Sequence, residues 1–278
     1  MRNAYLDLLK FMAIIIMILD HVGNYLLPDD LFTTHVIRGI GRLAMPLFFI
    51  VHGYLLAQRS DLPSYMRISK LLMYGSFLSI GLYAVADKFT LNILFQFALI
   101  ELFWLKFVSV LTIDKKLLDG FDNQAGLYEV SKRFAKKRVI LFLSVVALIF
   151  LWIDQIDSLE KLIDYGVYPL FYAIAGLMFG YAHRYSDKKM ENVSFMVLIA
   201  TLSFQYNPIL FLLYTLYVDS SMIYYALPAV IIPVLVWYIP KANIELTVLR
   251  SPIAAVSRNA LNIYVAHLAI FISISAYL

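Results

Sequence analysis

Long apolar runs, each closed by a short polar or charged stretch, repeat along the whole chain. The first is YLDLLKFMAIIIMILDHVGNYLL, residues 5–27. About 20 apolar residues in helical form cross a bilayer, so this stretch predicts a first spanning helix. A polar turn over 28–35 leads to a second run at about 38–57, RGIGRLAMPLFFIVHGYLLA, whose Gly39, Gly41 and Gly53 allow close helix approach. Further runs follow at about 67–86, 91–111, 139–153, 167–183, 193–218, 221–239 and 254–278. Asn207-Pro208 interrupts the 193–218 run, which predicts one kinked span. The total is then about nine spans, or about ten if that run is two. The alternation of polar lumen residues that a barrel strand requires is absent from these runs, so helices satisfy the backbone. The expected fold is all-α: a polytopic transmembrane helical bundle forming one domain over residues 1–278, without internal repeat or low-complexity segment.

Charge sets the expected topology. The longest hydrophilic segment, 112–138, carries seven basic residues against four acidic ones and ends in KRFAKKR. By the positive-inside rule it is a cytoplasmic loop. Arg59 with Arg67, the 184–189 loop and the 241–258 connection fall on the same side; Asp29-Asp30, Asp87-Lys88, the 154–164 loop and Asp219 fall on the other. This alternation places the N-terminus inside and, with nine spans, the C-terminus outside. The chain begins as a signal peptide does, with Arg2 before an apolar core, but Asp7 and Lys10 interrupt that core and no small-residue cleavage site follows His21. It is expected to remain as the first helix.

Composition agrees with a membrane protein and narrows the chemistry. Of 278 residues 62% are hydrophobic and only 15% charged, whereas a soluble chain has about a quarter charged. There is no cysteine, so disulfides, thiolate metal sites and a thioester on the enzyme are excluded. The net charge of +4 is a matter of topology; with no basic-aromatic patch, nucleic acid is not an expected partner. No HxxxH or HExxH spacing occurs, and a metal site would need His21, His52 and His267 from three helices, so none is expected.

Ionisable groups inside spans mark candidate sites, because each costs roughly 2.5 kcal/mol or more to insert. The first run holds Asp7, Lys10, Asp20 and His21. Lys10 and His21 are eleven residues apart, about three turns, and so share one face about 16 Å apart along the axis. Asp20 points about 100° away from His21 and is placed to reach another helix. Histidine suits acid-base work near neutral pH. Of the five histidines, His35 and His183 lie at span ends and read as interfacial, while His52 and His267 lie well inside spans, where interhelical hydrogen bonding and function both stay open. Glu101, five residues after Gln96, needs a cation if buried, with Lys10 or an arginine of the second span as the expected one. Arg38 and Arg42, one turn apart, can hold an anionic group or snorkel to the interface.

LDLLKFMAIIIMILDH resembles the first helix of the TraX family and, more broadly, of the membrane acyltransferase superfamily that includes the type 3 acyltransferases and heparan-alpha-glucosaminide N-acetyltransferase. There a polar or basic residue and a histidine are separated by ten residues, which maps onto Lys10 and His21. GRLAMPLFFIVHGYLL, NILFQFAL and SRNALNIYVAHL resemble later motifs of the family, so the likeness runs from end to end. Two departures are His52, where the type 3 enzymes usually have a small polar residue, and the 112–138 loop, which matches no motif. The resemblance implies an integral enzyme of the bacterial inner (cell) membrane that moves an acyl group, in particular acetyl, from cytoplasmic acyl-CoA to an amine or hydroxyl. For TraX-like proteins the associated acceptor is conjugative pilin; a glycan or other cell-surface molecule is the alternative. Acetyl-CoA would be a donor substrate, with no bound cofactor and with membrane lipid as surroundings.

On that reading His21 is the general base, with Asp20 beside it in the catalytic pair. Lys10 attracts the donor's phosphates or a buried carboxylate, and Arg38, Arg42, Glu101, His52 and His267 are candidates for binding donor or substrate. An acyl-histidine intermediate is a variant of the same chemistry. The competing function is a proton-coupled transporter with Lys10, His21 and Glu101 as its relay, although paired broken helices and an internal repeat are not visible. A structural membrane scaffold is the third.

Overall fold

Helix α1 runs unbroken over Ala4–Tyr25, so Lys10 and His21 do lie on one regular helix. The computed structural model describes residues 4–28, 30, 32–58, 65–86, 90–118, 165–218, 223–239 and 250–275. After α1 come a π-helical segment at Phe32–Ile37, a four-residue α2 at Arg38–Gly41 and α3 at Ala44–Gln58. The expected polar turn over 28–35 is therefore shorter, and Asp30 helps to end it. Its Oδ1 accepts the Thr33 N–H at 2.6 Å, and that bond to the charged form holds the Asp30 carboxyl below the usual carboxylate range. The remaining helices are α4 Tyr65–Ala86, α5 Ile93–Leu118, α6 Tyr168–Tyr185, α7 Lys188–Tyr206, α8 Pro208–Tyr217, α9 Ile223–Trp237, α10 Arg250–Arg258 and α11 Ala260–Ser275. The described residues are all-helical, without a strand.

Two of these helices are long and apolar enough to cross a membrane, His35–Gln58 and Tyr65–Val85. Two bent pairs, α7 with α8 and α10 with α11, raise the number to up to four if each is one broken span. The expected span at 139–153 and the loop from 119 to 138 lie outside the described residues; residues 112–118, expected in that loop, continue α5. The break between α7 and α8 is the expected kink. Pro208 has no N–H to donate and disfavours the helical region for its predecessor, and Asn207 turns left-handed (φ 35°, ψ 65°). Asn207 Oδ1 then caps the next helix by accepting the Leu210 N–H at 3.3 Å.

A second break corrects the expected continuous span over 254–278. α10 and α11 meet at 74° around Asn259. No proline is involved. The Asn259 side chain donates to the Ala255 carbonyl at 2.9 Å while its N–H is shared between Ala255 and Val256 at 3.1 Å, so a polar side chain competes with the helical ladder at the bend.

The chain divides into two units. In the larger one, made of 1–58, 77–89 and 168–278, the centre is the α3–α6 pair. Gly53 on α3 faces the Ala173 backbone, Gly176 on α6 faces the Ile50 backbone, and Gly180 faces Tyr54. Small residues bring the two backbones together, the usual source of helix association in lipid. Gln58 Nε2 donates to the Gly180 carbonyl at 2.7 Å and Arg184 Nη1 to the Ala57 carbonyl at 3.1 Å, tying one end of the pair. α7 packs on α6, its Ser194 hydroxyl donating to Ala175 O at 2.7 Å and Tyr172 donating to Gln205 Oε1 at 2.7 Å. α1 lies against α3, α10 and α11. Because a methyl at Gly176 would meet backbone, which cannot swing aside, Gly176→Ala is expected to destabilise the protein by about 1–3 kcal/mol, read as a lower melting temperature in detergent. Gly81→Ala is the control; nothing described lies within 4 Å of its added carbon, and its melting temperature should hold or rise.

The smaller unit comprises 59–76 and 90–167. Within it Glu101 is fully buried, at 0% exposure, and its Oε1 lies 2.8 Å from Arg67 Nη2. A cation thus reaches this carboxylate from α4, a source not among those expected, Lys10 and the arginines of the second span. Gln96 Nε2 donates to the Gly166 carbonyl at 3.3 Å in the same unit.

Candidate functional site

The last two turns of α1 present chemistry on two sides. One side faces α11. There His21 Nδ1 and His267 Nε2 are 2.7 Å apart, and the two rings meet edge to edge, nearly coplanar, with centroids 4.9 Å apart and planes 15° from parallel. Tyr25, Tyr264 and Phe271 surround the pair edge-on: Tyr25 at 6.0 Å from His21, Tyr264 at 5.6 Å and Phe271 at 5.7 Å from His267. His267 is buried and its Nδ1 lies 2.8 Å from the carbonyl of Ile263, one turn back on its own helix. A polar pair set in aromatic walls is both oriented and shielded.

The other side faces α2. The Asp20 carboxylate rests against Gly41, where only a glycine leaves room for it, in the field of Arg42 and Arg38. Arg42 stands over the Tyr225 ring with its guanidinium carbon 5.9 Å from the centroid, and Tyr206 donates to the Arg42 carbonyl at 3.0 Å. The Arg38 stem packs over Gly23, 3.6 Å from where a side chain there would begin, and its charge is felt at both Asp20 and His21. Its Nε is buried and makes no hydrogen bond among the described residues. A cation with an unused donor next to an imidazole is suited to a small anionic group.

The structure thus brings together five of the eight candidates: Asp20, His21, Arg38, Arg42 and His267. Asp20 is not the partner of the His21 ring; its carboxylate is turned to α2, as the angle between consecutive helical residues requires. Lys10 is half-buried on α1 about three turns before His21. Near it, Asp7 accepts from the Ser257 hydroxyl at 2.8 Å, and Tyr5 donates to the Leu235 carbonyl at 2.8 Å, which fastens the start of α1 to α10 and α9. His52 is half-buried on α3, and Glu101 belongs to the smaller unit. Sequence reasoning missed Tyr206, Tyr225, Tyr264 and Ser257. Tyrosine is too common here, at 20 residues, to stand out, but SRNALNIYVAH did carry a signal, a cluster of polar residues in a run otherwise apolar. Among the described residues no group of three or more His, Asp and Glu could hold a metal ion.

A family model described as an acyltransferase domain matches residues 3–278. The chain belongs to this acyltransferase family. The polar site at the end of α1 lies within the matched domain. The uncharacterized protein RP591 of Rickettsia prowazekii (strain Madrid E) is 37% identical over 94 residues, 34% of this chain and 34% of the relative. The likeness therefore spans about a third of that relative's length. No solved structure matches this chain.

Proposed function

We propose that the protein is a TraX-like, multi-pass acetyltransferase of the bacterial cell membrane, which takes acetyl from acetyl-CoA on the cytoplasmic side and gives it to an amine or hydroxyl, with a pilin N-terminus or a surface glycan as acceptor. The observation that carries this reading is the His21–His267 hydrogen bond at 2.7 Å, which orients an imidazole in the field of Arg38 in a mostly apolar bundle. Acyl transfer from a thioester needs little more than positioning and a base. His21 takes the proton of the acceptor N–H or O–H as that atom bonds to the thioester carbonyl carbon; the C–S bond then breaks, and the thiolate leaves and is protonated. Arg38 and Arg42 supply positive charge for the oxyanion, and Lys10, nearer the cytoplasmic end of α1, for the donor's phosphates.

Incubation of purified protein with radiolabelled acetyl-CoA tests this reading through label on the protein or an acceptor. Lys10→Met is expected to weaken acetyl-CoA binding while leaving the transfer step of the loaded enzyme intact. Unchanged donor affinity in a folded Lys10→Met protein would remove Lys10 from donor binding. For the topology of about nine spans, reporter fusions at residue 125 and at the C-terminus should report opposite sides of the membrane, and two cytoplasmic signals would overturn it.

A further inference from the structure

Hydrogen bookkeeping along the histidine pair fixes which nitrogen of His21 is free. The Ile263 carbonyl oxygen can only accept, so at 2.8 Å the His267 Nδ1 donates to it. A neutral His267 then has its lone pair on Nε2. At 2.7 Å from that lone pair, His21 Nδ1 must be the donor. A neutral imidazole carries one N–H, so the proton of His21 is on Nδ1 and its Nε2 presents a lone pair. That nitrogen makes no hydrogen bond among the described residues.

Resting on the acyl-transfer reading above, we propose that His267 is the positioning residue of the reaction: by accepting the His21 Nδ1–H it holds His21 in the tautomer whose Nε2 can take the acceptor's proton. The device is a chain of three groups, backbone carbonyl to His267 to His21, in which each donor points toward α11. It assigns to a neutral imidazole the orienting role that a carboxylate fills in a Ser-His-Asp triad, and it takes that role away from Asp20, which is engaged on α2. Two further features serve the same end. His267 is fastened to its own helix through Ile263, so its ring cannot flip without losing that bond, and ring planes only 15° apart aim each nitrogen along the plane of the other ring, where the lone pair lies. When His21 becomes an imidazolium, its Nδ1–H still points at the His267 lone pair, so the charge formed in the reaction is met by an acceptor already in place.

Nitrogen NMR of histidine-labelled protein in lipid nanodiscs, with His21 assigned by its loss in His21→Gln, reads the tautomer directly. The expected result is a protonated Nδ1 and a bare Nε2 in the wild type. In His267→Leu, neutral His21 should revert to the Nε2–H form that free imidazole prefers, and kcat for acetyl transfer should fall roughly 10²–10⁴-fold with KM for acetyl-CoA unchanged. His267→Gln offers a carbonyl to the His21 Nδ1–H and should restore both the tautomer and much of kcat. An Nε2–H tautomer in the wild type, or a wild-type tautomer and rate in His267→Leu, would overturn the proposal. If His267→Leu does not fold, the wild-type spectrum and His267→Gln decide it. Should the wild type transfer no acetyl at all, the acyl-transfer reading fails, while the tautomer spectrum still tests the positioning.

Discussion

His21→Ala should be made and folded normally, melt at the wild-type temperature and lose acyl transfer by 10²–10⁴-fold, the usual effect of removing a positioned base. That is roughly 3–5 kcal/mol of barrier, whereas the hydrogen bond lost to His267 is worth about 0.6 kcal/mol between helices in a membrane. Rate and stability therefore respond very differently, and measuring both on one preparation separates a base from packing glue. His21→Gln sharpens the comparison, because glutamine can still hydrogen-bond across to α11 but cannot take a proton. It is expected to be as inactive as His21→Ala. Near-normal turnover in His21→Gln would reduce His21 to a structural role and move the base to another imidazole.

Arg67→Met should severely weaken the protein, by about 3–5 kcal/mol, because it takes from the Glu101 carboxylate, 0% exposed, the guanidinium that lies 2.8 Å away. Glu101→Gln should cost less, since it removes the buried charge and leaves Arg67, at 38% exposure, able to reach water or headgroups. The double variant Arg67→Met with Glu101→Leu should recover much of the stability, as buried ion pairs replaced by apolar residues often do. Thermal melts of the three variants measure this. Equal losses from Arg67→Met and from the double variant would show that the pair is not what holds Glu101. The variants also bear on function: a Glu101→Gln protein that keeps acyl transfer would leave Glu101 with a structural role only.

Ionisable residues inside an apolar run were readable directly from α1, because a charge in such a run needs a reason and the helix period fixes which groups share a face. Gly39, Gly41 and Gly53 were readable in the same way, and each meets another helix closely: Gly39 at Tyr224, Gly41 at Asp20, Gly53 at Ala173. The partners were not readable. His21 and His267 are 246 residues apart, and hydrophobic periodicity says which face of a helix is buried but not against what. For the same reason Glu101 could be seen to need a cation while Arg67 could not be chosen over other basic residues. Breaks followed a similar divide. Asn207-Pro208 announces itself through the missing N–H of proline, whereas Asn259 bends its helix by a side-chain bond to Ala255, and a helical asparagine is equally able to turn its side chain to solvent. The π-helical segment at Phe32–Ile37, in the stretch read as a polar turn, packs against α1 and α9, partners that the local sequence does not encode.

The most direct test of acyl transfer by this protein is to reconstitute the wild type in vesicles with membranes of the producing cell as acceptor and to supply acetyl-CoA radiolabelled on its acetyl group. The expected result is one equivalent of free coenzyme A thiol for each label that appears on a membrane acceptor, with neither formed by His21→Gln. Acetyl-CoA left intact by the wild type, or label transferred equally by His21→Gln, would contradict it.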